Sequence, residues 1–243
     1  AILFWWHRWI RQSLFFSTTG EKWKKYLSRI SGENGIVVRN GFEQPSESLG
    51  TRGHGKRFTI VHFGRMYPRQ DISIFIQGFK DFAAGIPPSE VTFEVIGLKK
   101  VAGFDFHDQI TKALGSYVRF QPYMPKDELI RYCAKEATLL FFPDFREDNG
   151  SFAVKVYDYL VIGKNILVAP GGGEVSRLVT ELNAGAVLND AGSVAAYLRK
   201  CYQEYRTTGS VNFSVNNRRL EKYSRKTQVA FMAEKIKEAL SKR

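Results

Sequence analysis

The feature that most constrains this chain is an alternation running through all but its first quarter. Short apolar runs ("RFTIVHFG", "VTFEVIG", "YVRFQ", "TLLFFPD", "NILVAP" and "AVLND") take turns with segments of helical spacing. In "DISIFIQGFKDFAAG", Ile72, Phe75, Ile76 and Phe79 fall at i, i+3, i+4 and i+7, one face of a helix. "KDELIRYCAKEA" turns Leu129, Ile130, Cys133 and Ala134 inward, and "SVAAYLRKCYQEY" does the same with Val194, Tyr197, Leu198, Cys201 and Tyr205. "SFAVKVYDYLVIG" reads as a helix ending at Gly163, and "GEVSRLVTELNAG" as one stopped by Gly185. A weaker helical pattern covers 104–115. The strands are continuous apolar runs, as expected of strands buried on both faces. The repeat predicts an α/β fold, a parallel sheet with helices on both faces. Ligands of such sheets bind beyond the carboxyl ends of the strands, where strand order switches. Functional residues are therefore expected in "GRMYPRQ", "QPYMPKDE", "PDFREDNGS" and "APGGGEV".

The flanking segments differ. Residues 1–34 are aromatic and basic, with "GEKWKKYLSRI" reading as a helix. "GIVVRNGF" reads as a short strand entering a turn at Asn40-Gly41. "EQPSESLGTRGHGKR" is polar and without period, a linker. "KTQVAFMAEKIKEAL" is one more amphipathic helix. The N-terminal "AILFWWHRWI" is broken by His7 and Arg8, and no apolar run reaches the roughly 18 residues of a bilayer span. It also lacks the basic start and cleavage site of a signal peptide. An amphipathic segment facing a partner surface is expected. Cys133 and Cys201, both on apolar helix faces, give neither a disulfide framework nor a metal spacing and are expected as reduced core residues. The net charge of +12 favours anionic partners. No recognition motif or Arg/aromatic array supports nucleic acid.

Three loops carry candidate chemistry. After the first long strand, Gly64 permits close backbone approach and Arg65 offers a planar fork of donors to a phosphate. There is no G-x-G-x-x-G after this strand and no P-loop, which removes support for a nicotinamide dehydrogenase or a P-loop NTPase. Gly171, Gly172 and Gly173 lie between a strand and a helix, where free N–H groups make an anion site. If Ser151 caps the next-to-last loop's helix, Lys155 is in its second turn and Asp158 lies three residues on, on one face. A charged pair on a covered helix needs a partner or a ligand.

The order of these loops resembles the C-terminal, donor-binding domain of retaining GT-B glycosyltransferases, the glycosyl transferases group 1 family. "VHFGRMYPRQD" is similar to the family's strand-Gly-Arg start, and "VRFQPYMPKDELIRYCAKEATLLFFPD" to the segment leading into its acidic loop. "KVYDYLVIGKNILVAPGGGEVSRLV" is similar to its lysine-x-x-glutamate, valine-rich strand, glycines and glutamate, and "VVRNGF" to the asparagine-glycine closing its N-terminal domain. The resemblance implies a Rossmann-like sheet that is one half of a GT-B fold. Residues 1–40 would be a remnant of the acceptor domain and 41–57 a linker. Residues 58–222 would be the nucleotide-sugar domain, and 223–243 a helix packing back toward the N-terminal part.

The implied site comprises Gly64, Arg65, Arg69, Tyr123, Met124, Gly150, Ser151, Lys155, Asp158 and Gly172. Arg65 and Lys155 would stabilise the leaving diphosphate as the catalytic cations. Asp158 would accept from ribose hydroxyls, Tyr123 and Met124 would line the base, and Gly150 and Ser151 would donate to sugar or phosphate. Two positions depart from the pattern. The family's first carboxylate falls on Gly150, with Glu147 and Asp148 out of register, and the lysine expected five residues after Arg65 is Gln70, with Arg69 adjacent. The implied reaction is transfer of a sugar from a nucleoside diphosphate sugar to an acceptor hydroxyl with retention, in bacterial cell-surface polysaccharide or glycoconjugate synthesis. No metal or other cofactor is implied. The implied partners are the donor, an acceptor sugar or lipid-linked sugar, the protein's own N-terminal domain, and peripheral membrane contact from the cytoplasmic side. A nucleotide-sugar epimerase or a non-catalytic binding module of the same fold are the rival readings.

Overall fold

The structure is a computed structural model that describes residues 8–10, 12–13, 15–32, 35–43, 56–99, 103–147, 150 and 152–241. Most of the expected linker, the start of the aromatic N-terminal segment and Ser151 lie outside the described residues.

Six strands form one all-parallel sheet: β3 (Phe58–Phe63), β4 (Val91–Ile96), β5 (Val118–Gln121), β6 (Leu139–Phe142), β7 (Ile166–Val168) and β8 (Gly185–Val187), in the order β5-β4-β3-β6-β7-β8. All residues of β3, β4, β6 and β7 are buried, which explains their unbroken apolar runs. One face is covered by α2 (Ser73–Ala83), α3 (Phe106–Leu114) and α7 (Ala191–Thr208). There Phe75 stacks on Phe141 with ring centroids 3.8 Å apart. A Cβ on Gly78 would come within 2.6 Å of Val194, so this glycine lets α2 and α7 cross closely. The other face is covered by α4 (Lys126–Glu136), α5 (Val156–Ile162) and α6 (Glu174–Leu182). Cys133 and Cys201 are buried free thiols, one on each face.

Before the sheet, β1 (Phe16–Thr18), α1 (Glu21–Ser31) and β2 (Gly35–Val37) make a small parallel β-α-β unit. The chain then turns at Gly41, with φ 68°, and pairs with the approach to the C-terminal helix α9 (Arg225–Leu240), which follows the short α8 (Asn217–Leu220). Phe42 N–H donates to Tyr223 O at 3.0 Å and Arg225 N–H to Phe42 O at 2.8 Å. Among the described residues, no helix is long and apolar enough to cross a membrane.

Two local expectations need correction. Helix α6 is stopped by Asn183 in the left-handed region rather than by Gly185. Gly185 instead opens β8, where a Cβ would press on Ile166 O. Helix α5 starts at Val156, with Lys155 at its cap. Tighter i→i+3 turns, Val156 N–H to Ala153 O and Tyr157 N–H to Val154 O, occupy the turn before it. Helix α9 forms as expected, with a half-buried stripe of Thr227, Gln228, Phe231, Met232 and Lys235, and leaves Val229 62% exposed.

Candidate functional site

Strand order reverses between β3 and β6, and the loops leaving these neighbouring strands part in opposite directions. A cleft of about 880 Å³ opens there. One wall is the loop from Arg65 to Gln70, the other Phe145 and the run Phe152–Lys155.

Gly64 turns the chain out of β3 with φ 83°, a backbone conformation that favours glycine. Lys155 reaches from the start of α5 back to this turn. Its Nζ donates to Arg65 O at 2.8 Å and Phe63 O at 3.4 Å, and it lies 5.3 Å from the centroid of the Phe142 ring. Burial pushes its ammonium down to about 7. Burial, and then the nearby Lys155 charge, push His62 in β3 well below the ordinary imidazole range, so it is neutral. One turn along α5, the Tyr159 hydroxyl donates to Phe141 O at 3.0 Å and accepts from Phe63 N–H at 3.3 Å. This fixes α5, and with it Lys155, to the exits of β3 and β6. Arg65 and Arg69 are exposed on the opposite wall. Among the described residues no carboxylate pairs with Arg65, Arg69 or Lys155. Three cations therefore line one cleft without an ion-pair partner among the described residues, an arrangement suited to a polyphosphate.

Gln70 is buried and does not replace a cation. Its Nε2 donates to Pro143 O and its Oε1 accepts from Tyr67 N–H at 2.8 Å, so it ties the two walls together. Asp158 leaves α5 on another side from Lys155. It pairs with Lys126 in the first turn of α4 at 2.8 Å, while the Lys155 side chain reaches back to the carbonyls at the end of β3. Tyr123 and Met124 follow β5; Tyr123 is 71% exposed beside the turn at Gly97, while Met124 packs onto the core. Neither lines the cleft. Gly150 has φ 77°, and a Cβ there would lie 2.7 Å from Trp23 Nε1 on α1.

The glycine turn after β7 differs from expectation. Gly171 N–H donates to Asn189 Oδ1 at 2.8 Å and Gly172 N–H to Ser176 Oγ at 3.0 Å. The buried Asp144 carboxylate accepts from Ser176 N–H at 2.9 Å and Ser176 Oγ at 2.6 Å. The chain's own carboxylate thus occupies the N-terminus of α6, and Gly172 presents no free donor. Its role is steric: a Cβ there would collide with Arg146 O.

A sequence model of the family described as glycosyl transferases group 1 matches residues 57–204, more than half of the chain and every loop of the cleft. The chain belongs to this family. No curated protein matches its sequence. Among solved structures, the glycosyltransferase AviGT4, involved in avilamycin A biosynthesis, superposes with a TM-score of 0.63 at 12% identity, over 93% of this chain and 64% of its own. The trehalose 6-phosphate synthase of Burkholderia multivorans gives 0.63 at 11% identity, over 98% and 62%. The pneumococcal O-GlcNAc transferase GtfA, solved with UDP and GlcNAc, gives 0.62 at 12%, over 93% and 45%. These likenesses show the fold, a Rossmann-like half of a GT-B glycosyltransferase. The chain spans from under half to about two thirds of the length of these structures.

Sequence reasoning missed one group of residues in this family member. Glu174 is buried at the start of α6, yet it accepts from Glu21 N–H at 3.0 Å and pairs with Arg39. Arg39 also lies 4.7 Å from the Phe152 ring centroid in the cleft wall. Glu174 thus caps α1 and joins the β1-α1-β2 unit to the sheet domain beside the cleft. The resemblance marked this glutamate as part of the family motif but gave it no role, and an acidic residue in a first helical turn ordinarily serves its own helix.

Proposed function

We propose that this chain is the donor-binding part of a retaining glycosyltransferase that moves a hexose from a nucleoside diphosphate sugar to an acceptor hydroxyl. Its place would be in bacterial cell-surface polysaccharide or glycoconjugate synthesis at the cytoplasmic face of the membrane. The acceptor would lie toward the β1-α1-β2 side. One observation carries the reading: Lys155, Arg65 and Arg69 converge, uncompensated, at the strand-order switch. As the glycosidic bond breaks, charge grows on the diphosphate, and fixed cations in a partly dry cleft stabilise that charge most where it develops. Asp158 would reach ribose hydroxyls by exchanging Lys126 for the ligand. UDP is the nucleotide to try first, since GtfA was solved with it.

The test is an affinity ladder by calorimetry: uridine, UMP and UDP against wild type and Lys155→Met. Affinity should climb with each phosphate in the wild type. The variant should lose about 1.5–3 kcal/mol for UDP and little for uridine, the usual worth of a charged contact. An identical ladder in both proteins would remove Lys155 from the site.

A second reading, a non-catalytic nucleotide- or partner-binding module, is favoured by Gly150. The position that the resemblance assigns to a carboxylate holds no side chain, and Trp23 covers it. Transfer assays with the full-length protein separate the two readings, since a binding module would give the UDP ladder without turnover.

A further inference from the structure

At the opposite, N-terminal end of the strands lies a second pocket, of about 420 Å³, between β3, β4, β5 and α4. Its size falls within the range of about 300–1,000 Å³ usual for small-molecule sites. The sheet face here should be apolar, as it is further along at Val61 and Ile96. It carries Thr59, Thr92 and Glu94 instead, all buried. Glu94 sits mid-strand, 3% exposed, where a carboxylate is costly without partners. The Tyr132 hydroxyl of α4 donates to its Oε1 at 2.7 Å. Around the mouth stand Lys56, Arg57, Arg119 and Lys135, with one carboxylate, Glu136, beside Lys135. Arg119 is the cross-strand neighbour of Glu94 in register, yet the two form no ion pair. Among the described residues Lys56, Arg57 and Arg119 have no carboxylate partner, and Lys135 meets only its neighbour Glu136 at 3.5 Å.

The pocket is therefore two-sided in charge. Its floor offers a carboxylate and hydroxyls, which accept from ligand O–H groups, and its rim offers four cations against the single carboxylate of Glu136. A bare anion would meet repulsion from Glu94 on entering, and a neutral sugar would leave the rim unused. We propose that this pocket binds a small phosphorylated polyol, with hydroxyls on Glu94 and the phosphate among Arg57, Arg119 and Lys135. The site is separate from the cleft, at the other end of the same strands, and does not depend on the transferase reading.

Glucose 6-phosphate, glucose and inorganic phosphate are suitable probes, titrated calorimetrically into the whole chain. Glucose 6-phosphate should bind at least about tenfold more tightly than either part alone, as two charged or hydrogen-bonded anchors require. The double variant Arg119→Ala/Lys135→Ala, both exposed and so compatible with folding, should weaken it about tenfold or more. Glu94→Gln should erase the preference over inorganic phosphate. Arg65→Ala, in the cleft, should leave it unchanged. No binding to wild type, equal binding by the double variant, or loss of binding in Arg65→Ala would each overturn the proposal. If Glu94→Gln fails to fold, the exposed double variant and the Arg65→Ala control still decide it.

Discussion

Two strand-to-helix turns of this domain look alike on paper and behave differently in space. The turn after β7 has three glycines and a helix behind it; the turn after β6 has one described glycine, Gly150, and a lysine. In the first, Asp144, Ser176 and Asn189 take up the donors, so the chain supplies its own anion. In the second, Lys155 is held by two carbonyls and shares the cleft with two further cations, and among the described residues no carboxylate pairs with them. A glycine-rich helix start is thus a poor indicator of a site. What distinguishes a site is charge that the fold leaves unmatched, because matching it internally would have been the more stable solution.

The largest expected effect tests the filled turn. Asp144→Ala strips buried Ser176 of a charged acceptor at both N–H and hydroxyl. It should cost about 3 kcal/mol of stability, read by urea unfolding, from two hydrogen bonds to a charged group. UDP affinity of the folded protein should hold within about twofold, which is under 0.5 kcal/mol. A large loss of UDP affinity with little loss of stability would reverse the assignment of the two turns.

The open turn should show itself through pH. The Lys155 ammonium is pushed down to about 7 by burial, below the ordinary 10.5. Between those values the unfolded chain keeps a proton that the native state has released. Native stability therefore rises as pH goes up through 7, by at most about 1.4 kcal/mol per unit from this one group. Diphosphate binding runs the other way, since it needs the charged lysine. Above pH 7 the ligand must draw in a proton, and UDP affinity should fall by up to about tenfold per unit. Calorimetry in buffers of different ionisation enthalpy would detect that proton. Lys155→Met should lose both slopes, which separates them from titration of the phosphate itself. A wild-type UDP affinity that is flat from pH 7 to 9 would place the lysine outside the site.

The fold was legible because its strands are buried on both faces and announce themselves as unbroken apolar runs. The parallel sheet pointed to four strand-to-helix loops, and only the strand order singled out the two that line the cleft. Side-chain direction was not legible. Lys155 and Asp158 are three apart, and a helix through both would put them on one face. Their side chains nonetheless take different partners, Lys155 the carbonyls after β3 and Asp158 the Lys126 ammonium of α4, which spacing along one helix does not reveal. Gln70, a polar residue in a polar loop, became a buried strut, because the loops after β3 and β6 approach closely enough for its amide to reach Pro143 O. The Glu174 contact to Arg39 spans 135 positions, beyond the reach of any local pattern.

The smallest effect concerns Asp158, and it asks whether the uncompensated charge of the cleft extends along α5. In this structure Asp158 is matched by Lys126, with 26% of its side chain and 62% of the lysine's exposed. A pair so wet is worth about 0–1 kcal/mol, so Lys126→Ala should barely move the unfolding midpoint. If Asp158 serves ribose hydroxyls, it has to exchange Lys126 for them. Lys126→Ala would then free the carboxylate beforehand and tighten uridine and UDP alike by a few tenths of a kcal/mol, within the worth of the pair released. Asp158→Asn should loosen both ligands by about the same factor, because the ribose is common to them, whereas Lys155→Met acts on UDP alone. Matched losses at the sugar and unmatched losses at the phosphate would give the two residues separate ends of one ligand. If neither Lys126→Ala nor Asp158→Asn changes uridine binding, the pair is a surface ion pair between α4 and α5, and the ligand contacts of this helix end at its cap, Lys155.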